Sequence, residues 1–215
     1  MPRPEELQDR IYRALDTAAR VVGTETYAYR PSGPVHPLNP ENRFLRLRAA
    51  FSAGGGHFTQ PSRYGEALWY GLFDAAYTQP GDYLVQGDSV WFIAAQQHLQ
   101  PILCVLTNRV VSFSRPAAPM MTGVNDYGGM VTATNSPLLL DWPASVLGAA
   151  GRGHPDTNLP ADAAVPSWNV LLPALPGVVL LPADLISDDL GRNAVIAAAE
   201  LTDLGWRITA QQATT

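Results

Sequence analysis

The chain has 215 residues with 14 basic and 19 acidic side chains, which give a formal net charge of −5. Its hydrophobic content of 47% is enough for folded cores and excludes wholesale disorder, while the acidic balance argues against a general nucleic-acid coat. The sequence has no apolar run of the ~18 residues that a membrane span needs. Its charged start lacks the apolar core of a signal peptide, so we expect a protein that is made in a cytosol and works there or in an assembly built there.

The first predicted element is a helix from Glu5 to Val22. Acidic side chains in its first turn complement the positive end of the helix dipole, and Gly23 suits a C-terminal cap. An apolar stripe recurs at helical spacing and consists of Leu7, Ile11, Leu15, Ala18 and Val22. This stripe packs either on the helix's own domain or on a neighbouring subunit.

An extended arm and a first β module are predicted next. Residues 24–42 hold four prolines and no periodicity, so the helix and the arm together account for residues 1–39. Alternating apolar and polar side chains at 44–49 are typical of a half-buried strand. Further strand-like runs complete a five-stranded module at residues 40–115, and they lie at 67–73, 83–85, 90–95 and 102–113.

A segment rich in proline and glycine, residues 116–166, separates this module from a second one at residues 167–215. Five short strands are predicted in the second module, at 168–172, 178–181, 185–186, 194–198 and 206–210. The sequence therefore predicts a mainly β fold. It comprises two small SH3- or OB-like β-barrel modules, an N-terminal helix and long Pro/Gly-rich connecting segments.

Part of the first module recurs in the second. Residues 80–97 read PGDYLVQGDSVWFIAAQQ, and residues 182–200 read PADLISDDLGRNAVIAAAE. Both begin with proline, a small residue and aspartate, and both end with an apolar strand that runs into Ile-Ala-Ala. The second copy has one extra residue in its turn. We interpret the two passages as related β modules in one polypeptide.

No residue pattern predicts a catalytic, cofactor-binding or metal site. The four histidines are scattered among predicted loops, and the single cysteine, Cys104, lies in an apolar run typical of a buried strand. The run from Gly54 to His57 resembles a glycine-rich oxyanion loop, but no nucleophile elbow accompanies it. Asp188 and Asp189 suit a turn better than a glycosidase pair, because consecutive side chains point apart. Weak calcium binding is the alternative for these two carboxylates.

The five tryptophans leave two interpretations open. Four of them lie in or beside predicted strands at core-like positions, which favours packing, whereas a sugar-binding face is the alternative. They are Trp69, Trp91, Trp142, Trp168 and Trp206.

All basic side chains are arginine, and their distribution is uneven. Residues 1–48 are mildly basic, whereas residues 120–215 carry an excess of acidic side chains, which would suit contacts with different partners at the two ends. Each arginine is a planar fork suited to carboxylates or phosphates. We expect interface contacts from Arg10, Arg13, Arg20, Arg30, Arg46, Arg48, Arg109 and Arg115.

The second module resembles the small β-barrel proteins of tailed-bacteriophage necks, the head-closure or head–tail joining group. The resemblance rests on Pro182 to Leu185, Asp188 to Gly191, the apolar strand 194–198, Glu200, and the run 201–207 that contains Gly205-Trp206. Across the whole chain, residues 30–34 and 108–116 are similar to proteins of prophage and gene-transfer-agent-like clusters. Known stoppers have a single, shorter module, so the doubled architecture departs from that group.

The resemblance implies a structural virion protein, not an enzyme, that needs no cofactor. Copies would form a ring of six or twelve between the portal or adaptor and the tail, with arms that order on neighbouring subunits. Arginine forks would bind acidic partner faces or DNA backbone in the channel, and exposed strand edges would accept β-augmentation. The alternative is a tail, collar or baseplate component with a carbohydrate-binding or glycan-hydrolase β module.

Overall fold

The computed structural model describes residues 4–53, 67–117, 135–148 and 166–212. These residues contain one α-helix, one short 3-10 turn at Pro40–Asn42 and twelve β-strands. The strands close into two antiparallel barrels of six strands each, so the fold is mainly β, as the sequence predicts. Within these ranges, no helix is both long and apolar enough to cross a membrane.

Helix α1, Pro4–Val22, confirms the predicted helix, and its buried face overlaps the predicted stripe in part. Its buried and half-buried side chains against the first barrel are Gln8, Tyr12, Leu15 and Ala19. Of the predicted stripe, Ile11, Leu15 and Ala18 are half-buried, whereas Leu7 and Val22 are 39% and 50% exposed. Gln8 accepts a hydrogen bond from the main-chain N–H of Leu99 at 2.8 Å, so its polar group is satisfied in the buried position. The helix therefore packs on its own barrel.

The first barrel consists of the six strands that follow the helix. They are β1 Thr24–Tyr29, β2 Arg43–Ser52, β3 Leu68–Leu72, β4 Tyr83–Gln86, β5 Ser89–Ala95 and β6 Ile102–Leu106. Their order around the barrel is β1-β2-β3-β6-β5-β4, and β4 pairs with β1 to close it.

The second barrel repeats this strand order. Its strands are β7 Arg109–Arg115, β8 Ser136–Gly148, β9 Ser167–Leu172, β10 Leu185–Asp188, β11 Asn193–Thr202 and β12 Gly205–Gln212. They are arranged as β7-β8-β9-β12-β11-β10, with β10 paired to β7. Each strand thus corresponds to the one six places earlier, and the repeat covers a whole barrel rather than one hairpin.

The strands are divided between the barrels differently from the prediction. Thr24–Tyr29, which the sequence assigns to an extended arm, forms β1, and its side chains alternate between barrel interior and surface. The predicted strand 102–113 is interrupted at residues 107–108, and its second half belongs to the second barrel as β7. The predicted connecting segment 116–166 contains the 13-residue strand β8. Residues 178–181 are a loop rather than a strand.

The two barrels also share a buried contact. Tyr83 and Phe92 point away from the core of the first barrel, yet they are 0% and 1% exposed because they pack against the second. The Tyr83 ring lies 6.0 Å from the Trp142 ring, and the Tyr83 hydroxyl donates to the Pro143 carbonyl at 2.8 Å. Burial raises the pKa of Tyr83 well above its ordinary value, so this hydroxyl stays a donor.

The core of the first barrel contains Cys104, which is fully buried. Burial raises the pKa of its thiol, which keeps the sulfur protonated and unreactive at neutral pH. The expectation of a buried core thiol is confirmed.

The predicted repeat is confirmed at the level of individual hydrogen bonds. Asp82 is buried just before β4. Its carboxylate accepts hydrogen bonds from Nε and Nη2 of Arg30, each at 2.8 Å, and from the main-chain N–H of Gln79 at 2.9 Å. Asp184 is buried just before β10, and its carboxylate accepts hydrogen bonds from Nε and Nη2 of Arg115 at 2.8 and 2.9 Å. It also accepts the main-chain N–H of residue 181 at 2.8 Å. We call these two Arg–Asp pairs the clamps.

The turns that carry the clamped carboxylates are also equivalent. Gly81 has φ +95° and donates its N–H to Ile93 at 2.8 Å, and Ala183 has φ +73° and donates to Ile196 at 2.9 Å. The Ile-Ala-Ala ends of both passages form a bulge at the same place in the strand. The shared sequence therefore encodes a turn, a buried carboxylate and a bulge in each barrel.

One carboxylate of the second copy has no counterpart in the first. Asp188, the last residue of β10 and the first of the predicted turn, accepts two side-chain hydrogen bonds from Arg192 at 2.8 and 2.6 Å. It also accepts the main-chain N–H groups of Leu190 and Arg192 at 3.1 and 2.8 Å. Desolvation acts to raise the pKa of Asp188, but these donors outweigh it and hold that pKa below its ordinary value.

We predict that either clamp can be broken at a measurable cost. Asp82→Ala or Asp184→Ala removes a buried acceptor of charged hydrogen bonds, so each should lower the free energy of unfolding by about 2 kcal/mol. Asp88→Ala, at an exposed turn between β4 and β5, is the control and should change it by less than about 0.5 kcal/mol. Urea denaturation measures all three variants. Equal midpoints for D82A and D88A would contradict a stabilising clamp.

A second prediction concerns pH. Because the pKa of Asp188 is lowered on folding, its ionised form stabilises the protein above the unfolded pKa of about 4. That contribution is lost as the pH falls through the lowered folded value. D188N should be less stable than the parent at pH 7, and the difference should shrink below about pH 4. Thermal melts from pH 7 to pH 2 test this, with D203N at an exposed turn as the control. A gap that stays constant with pH would refute it.

Candidate functional site

A short segment of the first barrel crosses onto the second and adds to its sheet. This segment, Arg30–His36, follows β1, and we call it the strap. Val35 forms a parallel bridge with Leu140 of β8. The main-chain N–H of His36 donates to the Leu140 carbonyl at 3.0 Å, and the Leu140 N–H donates to the Pro34 carbonyl at 2.9 Å. The indole N–H of Trp142 donates to the same carbonyl at 2.8 Å, so the strap is fixed by the main chain and one buried side chain.

The strap covers the part of β8 that β9 does not reach. Strand β9 pairs only with Ser145 to Gly148, so the first half of β8 has a free side next to Leu140. The equivalent strand of the first barrel is β2, which pairs with β3 only from Ala50 to Ser52. Residues 44–48 of β2 pair with β1 on one side, and the described residues place no strand on the other. We call this stretch of β2 the open edge.

The open edge runs along a groove of about 800 Å³ between helix α1 and the loop after β3. The lining residues are Asp16, Arg20, Thr24, Glu25, Leu45, Arg46, Leu47, Arg48, Asp74 and Tyr77. Both signs of charge are present, so the groove does not select a strongly charged ligand. Main-chain groups and the half-buried Leu45 and Leu47 form part of the surface that a strand-like partner would contact.

The charged side chains around the groove are held by one another. Glu25 accepts hydrogen bonds from the Tyr27 hydroxyl and from Arg46, which hold the pKa of this carboxyl below its ordinary value. Arg20 pairs with Asp16 at 2.8 Å. The groove is therefore close to neutral, with its exposed ion pairs at the rim.

The structure brings three of the eight predicted interface arginines together in this groove: Arg20, Arg46 and Arg48. Arg48 donates to the Gly23 carbonyl through Nε at 3.1 Å and Nη2 at 2.6 Å, which leaves its neighbours Arg20 and Arg46 at the rim. Arg30 and Arg115 hold their own chain's carboxylates in the clamps. Arg109 lies 4.0 Å from Asp189.

The remaining two predicted interface arginines, Arg10 and Arg13, are exposed on helix α1. They lie on the side of the helix that faces away from the barrel. The eight arginines thus do not form one surface.

The expected exposed strand edges are largely absent from the described residues. Both barrels are closed, so every described strand pairs on both sides along part of its length. Within the described ranges, a stretch of β2 without a strand on one side remains where β2 runs past the end of β3. The β-augmentation expectation is therefore corrected from whole edges to a short open edge.

A histidine, an aspartate and a serine lie next to one another where the strap meets the second barrel. His36 Nε2 lies 3.2 Å from one Asp141 carboxylate oxygen, and the Ser112 hydroxyl donates to the other at 3.5 Å, so the carboxylate rather than the imidazole stands between the other two. That order does not make a nucleophile and its base. Among the described residues, no three His, Cys, Asp or Glu side chains form a metal-binding group. The predicted glycine loop 54–57 lies outside the described residues.

The tryptophans pack inside the barrels. Trp91, Trp142, Trp168 and Trp206 are at most 5% exposed, and Trp69 packs edge-on against Trp91 at 5.1 Å. The packing interpretation is confirmed. A tryptophan face for sugars has no basis in these positions.

The strap and the open edge were missed in the sequence, although one signal for them is present. Residues 30–35 read RPSGPV and residues 115–120 read RPAAPM. In each, an arginine is followed by proline, two small residues, a second proline and an apolar residue. This recurrence indicates that the segment after the first strand is part of the repeat.

Comparison with protein-family models, with curated proteins and with solved structures gives no match to this chain.

We predict that the strap depends on the indole N–H of Trp142. Trp142→Phe removes a hydrogen bond to Pro34 and should lower the free energy of unfolding by about 1 kcal/mol more than Trp91→Phe. Trp91 is the matched control because its buried Nε1 has no hydrogen-bond partner among the described residues. Hydrogen exchange should also speed up at residue 140 in W142F and stay slow in W91F. Equal stability and exchange in the two variants would contradict the role of this bond.

Proposed function

We propose that this chain is a structural virion protein of the head-to-tail interface, a stopper or neck subunit that joins portal or adaptor to the tail by ring assembly. The observation that carries the proposal is the groove along the open edge of β2, which offers main-chain hydrogen-bonding groups rather than catalytic side chains. A surface of this kind recognises an extended segment of another protein by strand addition. Assembly by such contacts is the mode that the resemblance to neck proteins implies.

The residues that carry the resemblance have clear structural tasks. Asp184 forms a clamp and Asp188 caps a turn. Gly205 has φ +110°, and a Cβ there would lie 2.6 Å from the Leu172 carbonyl, so only glycine fits before the buried Trp206. These residues specify a small six-stranded barrel, which we assign to the SH3- or OB-like type. The surfaces around the barrel would then determine the partner.

Helix α1 offers a second contact surface in this proposal. Its outward side carries Arg10 and Arg13, and Val21, more than two turns further along the helix, is 79% exposed. A helix that exposes both arginines and an apolar side chain suits an acidic protein partner with an apolar region. The same arginines would accept DNA phosphates if this side faced the channel of a ring.

The tail, collar or baseplate alternative with a glycan-directed module gains no specific support. It requires either exposed aromatic rings or two facing carboxylates. The tryptophans are packed inside the barrels, and Asp188 is occupied by Arg192.

The proposal predicts an assembly that depends on the portal protein of the same genome. Mass photometry and negative-stain imaging of the 23.2 kDa chain, alone and mixed with that portal protein, should show a ring that forms or docks only in the mixture. Asp16→Arg and Arg20→Glu change charges at the groove rim and should weaken docking, whereas Asp203→Arg at a distant turn should not. A stable monomer indifferent to portal would overturn the proposal.

A further inference from the structure

We propose that helix α1 is displaceable, and that the end of the first barrel that it covers receives the second barrel of another copy of this chain. Four surface residues of the second barrel would make the contact, and we call them the free face: Leu185, Val195, Ala197 and Gln211. We call the covered end of the first barrel the docking end, and three residues mark it: Ala49, Ala75 and Leu99. The contact rests on the assembly role proposed above for the expectation that copies meet, and the experiments below separate the two.

The free face is equivalent to the face that the first barrel uses inside the molecule. In each barrel, the isoleucine that follows the second position of the face donates its main-chain N–H to the clamped aspartate at 2.9 Å, so the two registers agree. The same bulge follows in both strands. The correspondence is Tyr83 with Leu185, Phe92 with Val195, Ala94 with Ala197 and Val105 with Gln211.

The two faces differ in burial. In the first barrel, the four residues are at most 3% exposed, because they pack on the second barrel. In the free face, Leu185 is half-buried and the other three residues are exposed, so nothing in the described ranges covers them in the same way. The free face has no charged side chain. An uncharged sheet face whose counterpart is buried between two barrels suits a contact of the same kind.

The first barrel packs on one end of the second barrel. The Tyr83 hydroxyl donates to the Pro143 carbonyl of β8 at 2.8 Å. Gly81 lies against the Ala174 carbonyl, in the segment that follows β9. Gly81 and the turn at Leu204 also line a small cavity of about 90 Å³ between the barrels. The covered end is therefore marked by the second strand, by the segment after the third strand and by the turn between the fifth and sixth strands.

Helix α1 covers the equivalent end of the first barrel. Gln96 Nε2 donates to the Tyr12 hydroxyl at 3.3 Å and to the Ala75 carbonyl, in the segment after β3, at 2.7 Å. The main-chain N–H of Leu99, in the turn between β5 and β6, donates to Gln8 at 2.8 Å. The helix thus lies on the first barrel where the first barrel lies on the second.

The second strands mark the two ends at matching positions. Ala49 of β2 and Ala144 of β8 each face the first residue of their barrel's first strand, in the regular part of the ladder. The residue before that first strand contacts both carbonyls, since Gly23 lies against the Ala49 carbonyl and Asn108 donates to the Ala144 carbonyl at 3.0 Å. In the segment after the third strand, each marker lies six residues after the tryptophan of that strand. The two ends therefore correspond at Ala49 and Ala144, at Ala75 and Ala174, and at the turns of Leu99 and Leu204.

The helix holds the docking end with few apolar groups. Gln8 and the Tyr12 hydroxyl contact it through hydrogen bonds, and the apolar contribution comes from the half-buried Leu15, the Tyr12 ring and the small Ala19. The contact between the barrels buries aromatic rings instead. Because burial of apolar surface drives association, the helix is the more easily displaced of the two occupants.

The tether of the helix keeps it in place while the chain is dilute. A short tether gives an effective concentration of roughly the millimolar range, which free copies do not reach in dilute solution. The free face carries smaller side chains than its aromatic counterpart, so we expect docking between copies to be weaker than the contact inside the chain. A second copy therefore displaces the helix when copies are concentrated or when the helix is weakened.

The occupant is a second copy because the chain already contains this contact between its own two barrels. The contact uses a different face on each barrel, so it is heterologous, and repetition between copies closes a ring or extends a filament. The open edge of β2 keeps its main-chain groups when the helix leaves. Strand addition there and docking at the docking end are therefore separate contacts.

A proline in the full-length chain tests release of the helix. Arg13 is exposed in the middle of α1, and Arg13→Pro removes a main-chain hydrogen bond and breaks the helix. Glu5→Pro is the matched control, since the first turn accepts proline. In size-exclusion chromatography with light scattering, the parent and E5P should have the mass of one 23.2 kDa chain, and R13P should show masses above that of two chains. A folded R13P that stays monomeric would overturn the proposal.

A charge on the free face tests where the copies meet. Val195 is 36% exposed in the free face, and Val110 is 37% exposed on β7, outside it. R13P/V195E should return to the mass of one chain, whereas R13P/V110E should keep the masses of R13P. Equal masses of the two double variants would exclude the free face. Oligomers that stop at two chains would indicate that the free face binds itself, and would refute docking head to tail.

The parent chain carries the test if R13P does not fold. Near-ultraviolet circular dichroism of the buried tryptophans shows whether the barrels of R13P are intact. If they are not, the parent is concentrated towards roughly the millimolar range of the tether, where it should associate and V195E should not. Association that is equal in the parent and V195E, or absent from both, would contradict the contact.

Mixtures with the portal protein separate this contact from the virion role. Rings on the portal protein that form equally well with V195E remove the contact and leave the virion role standing. Oligomers of R13P that depend on Val195 but do not bind the portal protein support the contact while the virion role fails.

Discussion

Burying a carboxylate costs free energy unless it is paired, and this chain buries one at the same place in each barrel. Asp82 and Asp184 each accept hydrogen bonds from two side-chain N–H groups of one arginine and from one main-chain N–H of their own turn. These bonds tie the end of the first strand to the start of the fourth, which is the seam where each barrel closes. The Arg–Asp pair therefore holds together the pairing of the first and fourth strands, the turn before the fourth strand and the point where the chain leaves the first strand.

Closure of the barrels then determines which main-chain groups remain for partners. In a closed barrel, an edge survives only where one strand outruns its neighbour. Strands β2 and β8 both outrun the next strand, at equivalent places. The second barrel covers this stretch with the strap, whereas in the first barrel the described part of the chain leaves it beside a groove. The difference between two otherwise equivalent barrels is what points to an interaction surface.

The sequence predicts the helix, most strands and the repeat because these depend on local periodicity and turn residues. Strand β1 was missed because four prolines follow it within residues 24–42, and that range was interpreted as a whole. Its own six residues, TETYAY, also do not alternate between apolar and polar side chains. Strand β8 was not predicted at its full length because it contains Pro137 and Pro143. Its ladder accommodates Pro137 beside a register shift, whereas Pro143 pairs with Val110 in regular register. Residues 178–181 are apolar but lack a neighbour to pair with, which no local pattern reveals.

The candidate site was less predictable than the fold. The sequence around an arginine does not show whether its guanidinium group binds another protein or a carboxylate of its own chain 50 or more residues away. Arg30 and Arg115 are such cases, since their partners are distant in the chain. The groove depends on the relative lengths of β2 and β3, and strand ends are the least certain part of any pattern. The repeated arginine-proline segments were the one local signal, and their meaning became visible only with β8 in place.

The aromatic contact between the barrels has a consequence for biosynthesis. The first barrel has all its strands once Leu106 has left the ribosome, and N-terminal domains tend to fold first. Its outward Tyr83 and Phe92 then stay uncovered until the second barrel is finished at Gln212. At a translation rate of roughly 5 to 20 residues per second, that interval lasts on the order of 5 to 20 seconds. During it the nascent chain carries an exposed aromatic patch, a natural target for ribosome-associated chaperones and a point of entry for misassembly between neighbouring nascent chains.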